Sequence, residues 1–370
     1  MKKKVIIFYP SFEKGGIEQN LKNIINNLSN DKEIHLISSI NRNEFKKIFN
    51  RKVFLHPTTQ KKYFSFLPAR FGSAFNGMLT LKRIIVKLGS NLIIHSMQSN
   101  IAAFFICFIY KKKIVIRNSE DPIYSTIYSE NKFLSSIVFI FKILTYNFVS
   151  GIITNSEGSR NSLSKFIFNK HKIKTIYNPY LQKKNKKKFK KEKIILNIGR
   201  LRKQKDHITL IKAFNIFSRV NKNYKLVILG HGDQEHKINK EIKKLKLERK
   251  VFVKGWVNNT YSYLKKSKLF VLSSIYEGLG NVLIDAINYN VPCISTNCKS
   301  GPNEILLNGK GGFLGEPKNH YELARLMNYA IDNYSFSIRK NEYAKKHLNR
   351  FDTKKQVRKY EIFLNKFINK

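Results

Sequence analysis

Apolar residues in this chain gather in short unbroken runs, rich in Val and Ile, separated by stretches of helical spacing. The runs fall at residues 4–10, 33–39, 92–95, 113–117, 151–155 and 174–177, then at 193–198, 224–229, 250–254, 268–273 and 291–295. A strand that is apolar throughout is buried on both faces. Alternation of such strands with helices predicts parallel sheets covered by helices, an α/β fold. These eleven runs are too many for one comfortable doubly wound sheet, so they divide into six and five.

The division falls at LQKKNKKKFKKEK, directly after Asn178-Pro179. Like charges repel and keep such a segment extended, which predicts a linker. The expected organisation is a first Rossmann-like domain over 1–180, a Lys-rich linker over 181–192, a second Rossmann-like domain over 193–345, and a C-terminal helix over 346–370. In that last segment Phe351, Val357, Tyr360, Phe363 and Phe367 form an apolar stripe, which predicts packing back on the first domain.

Two apolar stretches bear on membranes. Residues 133–153 are interrupted by Lys142 and Asn147, and Gly151 breaks the run near its end. A spanning helix needs roughly 20 mostly apolar residues, so the reading is a buried helix over 131–148 followed by a strand. Residues 101–110 are too short to span and are closed by Lys111, Lys112 and Lys113. The N-terminal apolar run is shorter than the roughly 7–15 residues of a signal-peptide core and reads as a first strand. The expectation is a soluble or peripheral protein.

Composition adds a charge argument. Among 370 residues, 70 Lys and Arg face 24 Asp and Glu, a net charge of +46. Only 14 of the 70 are Arg; the abundance of Lys, Asn and Ile matches coding bias in an AT-rich genome, so part of the charge is discounted. The rest predicts attraction to phosphates, nucleic acid or an acidic lipid surface. The three cysteines, Cys107, Cys293 and Cys298, have no metal-like spacing, and fit a reducing compartment.

The chain has seven Asp and no Asp-x-Asp. A diphosphate would therefore be held by cationic side chains and helix N-termini, with no metal and no cofactor expected. Gly15-Gly16 follows the first strand and opens a helical pattern, a turn that lets the backbone approach an anion. After the strand at 193–198 come Gly199-Arg200 and then Lys205, two cations able to neutralise a diphosphate; residue types alone do not separate this from two surface cations. Gly230-His231-Gly232 follows the next strand, but Glu235 stands where a dinucleotide fingerprint needs its third glycine, which disfavours NAD. His231 and His236 read as surface residues. In SSIYEGLGNVLIDA, Gly278 and Gly280 form a tight loop before a helix, with Glu277 in the loop and Asp285 about one and a half turns into the helix. Two carboxylates framing a helix start suit an anion flanked by hydroxyls; a loop Glu and a helix-surface Asp are the alternative.

These segments carry a resemblance. NIGRLRKQKDHITLIKAF, KLVILGHGDQEHKI, VFVKGWVNNTYSYLKKSKLFVLSSIYEGLGNVLIDA and STNCKSGPNEILLNGKGG resemble the retaining GT-B glycosyltransferases of family 4, also called glycosyl transferases group 1. KGGIEQNLKNI and TNSEGSRNSLSKF in the first half are similar more loosely. The hallmark is Glu, seven residues, Glu, and Asp285 departs from it by one methylene. The resemblance implies two Rossmann-like domains with parallel sheets facing each other across a cleft. It implies catalytic roles for Glu277, Arg200 and Lys205: the cations on the donor diphosphate, Glu277 on the donor sugar. Gly15, Gly16, Gly232, Val257, Gly278, Leu279, Gly280, Asn281 and Asp285 would bind substrate, with Val257 near the base and Asp285 on the ribose. His95, ending a strand, is the candidate for a family His, and a buried structural His remains the alternative. Arg117 would either meet an acceptor phosphate or cap its sheet.

The resemblance further implies a nucleotide-sugar donor, most simply a UDP-hexose or UDP-N-acetylhexosamine, and an oligosaccharide or lipid-linked acceptor. STNCKSGPNEIL is similar to members that build bacterial lipid-linked oligosaccharides. Cytoplasmic placement at the inner face of an anionic plasma membrane fits the Lys-rich linker and first domain. Two alternatives stay open: a nucleic-acid-binding protein, against which stands the absence of any helix-turn-helix, finger or RNP-like motif, and a GT-B sugar-nucleotide epimerase.

Overall fold

A computed structural model describes residues 3–12, 15–58, 69–181 and 189–368. The chain forms two compact units, Met1–Gln182 with Phe351–Lys370, and Lys183–Arg350. The first runs β1 (Lys3–Phe8), α1 (Gly16–Asn27), β2 (Lys32–Ser38), α2 (Arg42–Ile48), β3 (Phe54–Pro57), α3 (Ala69–Leu88), β4 (Leu92–Ser96), α4 (Asn100–Ile109), β5 (Ile114–Asn118), α5 (Pro122–Ile127), α6 (Lys132–Tyr146), β6 (Gly151–Thr154), α7 (Glu157–Ser164) and β7 (Ile173–Thr175). The second runs β8 (Glu192–Ile198), α8 (His207–Val220), β9 (Lys225–Leu229), α9 (Glu235–Lys244), β10 (Val251–Val253), α10 (Tyr261–Lys266), β11 (Ser267–Leu272), α11 (Asn281–Asn288), β12 (Cys293–Thr296), α12 (Pro302–Ile305), β13 (Phe313–Gly315), α13 (His320–Asp332) and α14 (Tyr334–Lys346). The chain then returns to the first unit as α15 (Thr353–Ile368).

Each unit is built on one wholly parallel sheet. The first has seven strands in the order β3-β2-β1-β4-β5-β6-β7; the second has six in the order β10-β9-β8-β11-β12-β13. This is the GT-B type of construction, two Rossmann-like α/β units. In both sheets the order reverses beside the first strand, between β1 and β4 and between β8 and β11. Loops leaving the carboxyl ends of strands at such a reversal diverge and leave room for a ligand.

The central strands are buried on both faces, as their unbroken apolar runs predict: Val5, Ile6, Ile7 and Phe8 of β1, and Phe270, Val271 and Leu272 of β11. Helices start where short polar side chains accept the first free amides. Asn131 Oδ1 accepts from Leu134 N at 2.9 Å before α6, and Asn319 Oδ1 from Glu322 N at 3.0 Å before α13. α15 packs on α1 and β4. Phe363 and Phe367 lie so close over β6 that a Cβ on Gly151 would stand 2.9–3.0 Å from their rings.

Two expectations are corrected. The sheets hold seven and six strands, because β3 and β13 escape the sequence pattern. β3 is a partly exposed edge strand, FLHP, and β13 is three residues ending in Gly315, so neither makes an apolar run. The helix over 131–148 forms, but it is not buried. Within α6 only Thr145 and Tyr146 are buried, whereas Phe133 is 78% exposed. Apolarity states which side chains leave water unwillingly; it does not supply the neighbour that covers them. Most of the 181–192 linker lies outside the described residues, and the residues at its end contact the second unit. Lys191 Nζ donates to Leu264 O at 3.2 Å and Tyr289 O at 3.1 Å, and the Phe189 ring stacks on Tyr289. Finally, His95 and Arg117 are 0% and 2% exposed. His95 Nδ1 donates to Val115 O, its ring edge meets Tyr360 of α15, and Arg117 donates to Asn178. Both are thus internal polar residues, each beside Tyr360 of α15.

Candidate active site

The reversal point of the second sheet gathers the chemistry. After β8 the chain runs through Gly199, Arg200 and Leu201 into a 3-10 turn over Lys203–Lys205. After the adjacent β11 it runs through Ser273 to Gly280. The two loops are laced together. Ile275 N donates to Gln204 O and Gln204 Nε2 to Tyr276 O, both at 2.8 Å, and Ser273 Oγ donates to Lys205 O at 2.8 Å. The lacing fixes the backbone of both loops and aims two side chains at each other: Lys205 Nζ pairs with Glu277 Oε1.

Glu277 is 5% exposed, and a buried carboxylate persists only when charged and polar partners replace water. Lys205 is one partner, and Ser274 Oγ donates to the same oxygen at 2.6 Å. Ser300 Oγ holds the Glu277 backbone carbonyl at 2.6 Å. Cys298, buried nearby, has its thiol pushed up by burial first and by the Glu277 charge second.

Two glycines make the loops' close approach possible. A Cβ on Gly230, at φ 149°, would sit 1.9 Å from Gly199 O, and one on Gly232 would sit 2.5 Å from Leu201 O. Gly230 N in turn donates to Gly255 O at 2.8 Å, which carries the short segment to Val257 alongside. Gly232 therefore meets backbone, and its small size is explained without a ligand. Val257 is half-buried.

The glycine turn before α11 behaves as the spacing predicts. Gly280 is left-handed, at φ 86°, and starts the helix with no side-chain cap. Gly278 and Leu279 are buried, Leu279 by the backbone of Gly301, whose own Cβ would lie 2.4 Å from Leu279 O. An uncapped helix start carries partial positive charge. Arg200, Lys205 and this helix end thus stand on neighbouring loops at one sheet edge, an arrangement suited to a diphosphate. Asn281 is half-buried at the first position of α11.

Asp285, half-buried, lies one turn further on. Its charge is the first cause that pushes the Tyr261 phenol up to about 12, burial being second. Tyr261 stacks on Tyr289 at 5.1 Å, and Tyr289 is raised by burial and then by Asp285. A tyrosine pair beside Asp285 was not legible in the sequence, because Tyr261 belongs to α10. Ser274, Ser300 and Gln204 were likewise missed. They stand inside the quoted segments, but nothing in a linear pattern assigns them to Glu277 or its loop.

In the first unit, Gly15 precedes α1 in extended conformation and Gly16 is exposed. The Glu18 carboxylate, which accepts from Tyr9 Oη, stands 3.2 Å from where a Gly15 Cβ would be. That acid offsets the positive end of α1 and weakens the expected anion preference at this turn.

Comparison with known proteins follows the same lines. A model of the family described as "Glycosyl transferases group 1" matches residues 181–347. The chain is 30% identical over 326 residues to the N-acetylgalactosamine-N,N'-diacetylbacillosaminyl-diphospho-undecaprenol 4-alpha-N-acetylgalactosaminyltransferase of Campylobacter jejuni, covering 85% of this chain and 87% of that protein. It is 35% identical over 207 residues to an uncharacterized glycosyltransferase of Methanocaldococcus jannaschii, covering 52% of this chain and half of the archaeal protein's length. Its fold is similar to that of Anabaena HepE in complex with UDP and glucose, with a TM-score of 0.77 at 17% identity, covering 99% of this chain and 100% of that one.

Proposed function

The chain belongs to the glycosyl transferases group 1 family, and from that premise we propose that it is a retaining, metal-independent member of family 4. It moves a hexose or N-acetylhexosamine from a nucleoside diphosphate sugar, with UDP the preferred nucleotide, to a lipid-linked oligosaccharide. It works at the inner face of an anionic membrane as a peripheral enzyme. The observation that carries this reading is the Lys205–Glu277 pair at the reversal point of the second sheet, beside the uncapped glycine turn of α11.

Glycosyl transfer builds positive charge on the anomeric carbon and negative charge on the departing diphosphate. Arg200, Lys205 and the α11 helix start oppose the second charge, and such preorganised electrostatics is commonly the largest catalytic term. Glu277, locked by Lys205 and Ser274, is positioned to accept hydrogen bonds from donor hydroxyls. Asp285 takes the ribose, and Val257 borders the base. Retention follows if the departing phosphate oxygen itself takes the acceptor proton, a step that needs no protein nucleophile. The undecaprenol-linked substrate in the name of the Campylobacter relative supports the lipid-linked acceptor.

The test is a panel of nucleotide sugars, screened by thermal shift and then by nucleoside diphosphate release in EDTA. One donor is expected to raise the melting temperature and to release diphosphate faster when a polyprenyl diphosphate-linked sugar is added. Strict dependence on Mg²⁺ or Mn²⁺ would remove the metal-independent reading. Product isomerised without acceptor would indicate epimerisation instead.

A further inference from the structure

α6 has inverted polarity. At 100° per residue, Phe133, Ile137, Ile140, Phe141 and Leu144 fall within about a quarter of the helix circumference, and all five are exposed. Lys142 lies about half a turn away from Phe133, half-buried and in the field of Glu120 and Asp121. A helix lying on a water-facing surface does the opposite. The stripe does not end with α6. Exposed Phe108 and Ile109 of the adjoining α4 extend it, and Phe168 is 91% exposed.

The surroundings are cationic. From residue 130 to 181, apart from the half-buried Lys142, there are six Lys and Arg and two acids, Glu130 and Glu157, and Lys111, Lys112 and Lys113 follow one residue after α4. An apolar stripe framed by cations matches the interface of an anionic bilayer, with acyl chains beneath and phosphate headgroups around. A second copy of this chain is a poor occupant, since it would set like charge against like in a molecule of net charge +46. At about 1.5 Å per residue, the fifteen residues of α6 extend roughly 22 Å, short of the roughly 30 Å hydrocarbon core. Among the described residues, no helix is long and apolar enough to cross a membrane. α6 can lie in a bilayer surface but cannot span it.

We propose that the first unit docks on anionic lipid bilayers by sinking the α6 stripe, with the tip of α4, to the headgroup–acyl boundary. This rests on the lipid-linked reading of the acceptor and goes beyond it by naming the surface and adding an apolar component to the electrostatic one.

The three native cysteines are buried, so an added surface cysteine can be labelled selectively. Ile140→Cys, carrying an environment-sensitive fluorophore, is mixed with vesicles of phosphatidylcholine and phosphatidylglycerol. Val220→Cys on α8, also exposed, is the control. The expected result is a blue shift at 140 and none at 220. The double variant Phe133→Ser, Phe141→Ser is expected to bind the same vesicles at least about tenfold more weakly, with an unchanged melting temperature. Its acceptor-independent nucleoside diphosphate release is expected to stay within about twofold of wild type. Absence of the blue shift while vesicles still bind, or equal binding by the double variant, would overturn the proposal. So would a dimer in ultracentrifugation that the double variant abolishes, which would assign the stripe to a second copy. Lack of diphosphate release in the wild type with any donor would instead fail the functional reading and leave the labelling result to be judged separately.

Discussion

Lys205 and Glu277 are 72 residues apart in the chain and form an ion pair across the adjacent strands β8 and β11. The pair sits where the strand order of the second sheet reverses. Its neighbours are Ser274 on the carboxylate and Gln204 on the loop that carries it.

Lys205→Ala and Arg200→Ala are each expected to lower kcat by about 10²-fold or more, through loss of a cation on the departing diphosphate. Lys205→Ala in addition strands a buried carboxylate, which costs about 3–5 kcal/mol of stability. Steady-state kinetics with denaturant titrations of both variants separate the effects. Wild-type turnover in either would end its assignment.

Asp285→Asn removes the charge that most raises Tyr261. The phenol, now held at about 12, is then expected to ionise closer to the ordinary value of 10.0. Absorbance titration of Asp285→Asn against an Asp285→Asn, Tyr261→Phe double variant isolates this one tyrosine. In kinetics, Asp285→Ala is expected to raise the donor KM by about tenfold, with less change in kcat, since a ribose contact is remote from the bond being broken. An equal fall in kcat with no change in KM would move Asp285 out of the ribose role.

Two glycine substitutions should act in opposite directions. Gly232→Ala sets a methyl group 2.5 Å from Leu201 O, and the loops after β8 and β9 must part to admit it. Loss of at least about 2 kcal/mol and of donor binding is expected. Gly72→Ala in α3 meets nothing within 4 Å and gains helix propensity, so stability should rise by roughly 0.5–1 kcal/mol. Urea unfolding curves decide both.

Acid should destabilise the fold through its buried histidines. Burial holds His95 and His56 down at about 4 and His207 at about 3, against 6.5 for a free imidazole. Below pH 6.5 the unfolded chain takes up protons that the folded chain refuses. Stability is therefore full above pH 6.5 and falls as pH drops through 6.5 towards 4, and towards 3 for His207. For fully buried His95 the loss by pH 4.5 is about 2–3 kcal/mol. His95→Gln should flatten the dependence between pH 7 and 4.5. An identical slope in that variant would contradict it.

Much of this architecture was legible before folding, and for one reason. A strand buried on both faces is apolar along most of its length, so β1, β8, β9 and β11 announce themselves. Strands that are exposed or very short, β3 and β13, carry no such mark. The glycine turn of α11 was legible because Gly280 adopts a left-handed backbone that other residues enter at a cost. Polar burial was legible only as one of two alternatives. His95 and Arg117 stand one residue before the ends of β4 and β5, as many ligand-binding residues do, and the tertiary structure buries both beside Tyr360 of α15.

By itself, the amino-acid order determined which segments must leave water, where the backbone must turn, and which cations and acids follow which strands, because these depend on neighbours along the chain. Tertiary structure alone decided that Lys205 meets Glu277, that Tyr261 shares the field of Asp285, and that the apolar stripe of α6 is left uncovered. Those outcomes depend on which elements become neighbours in space, and the free energy of a charge or an apolar side chain is set by what surrounds it there.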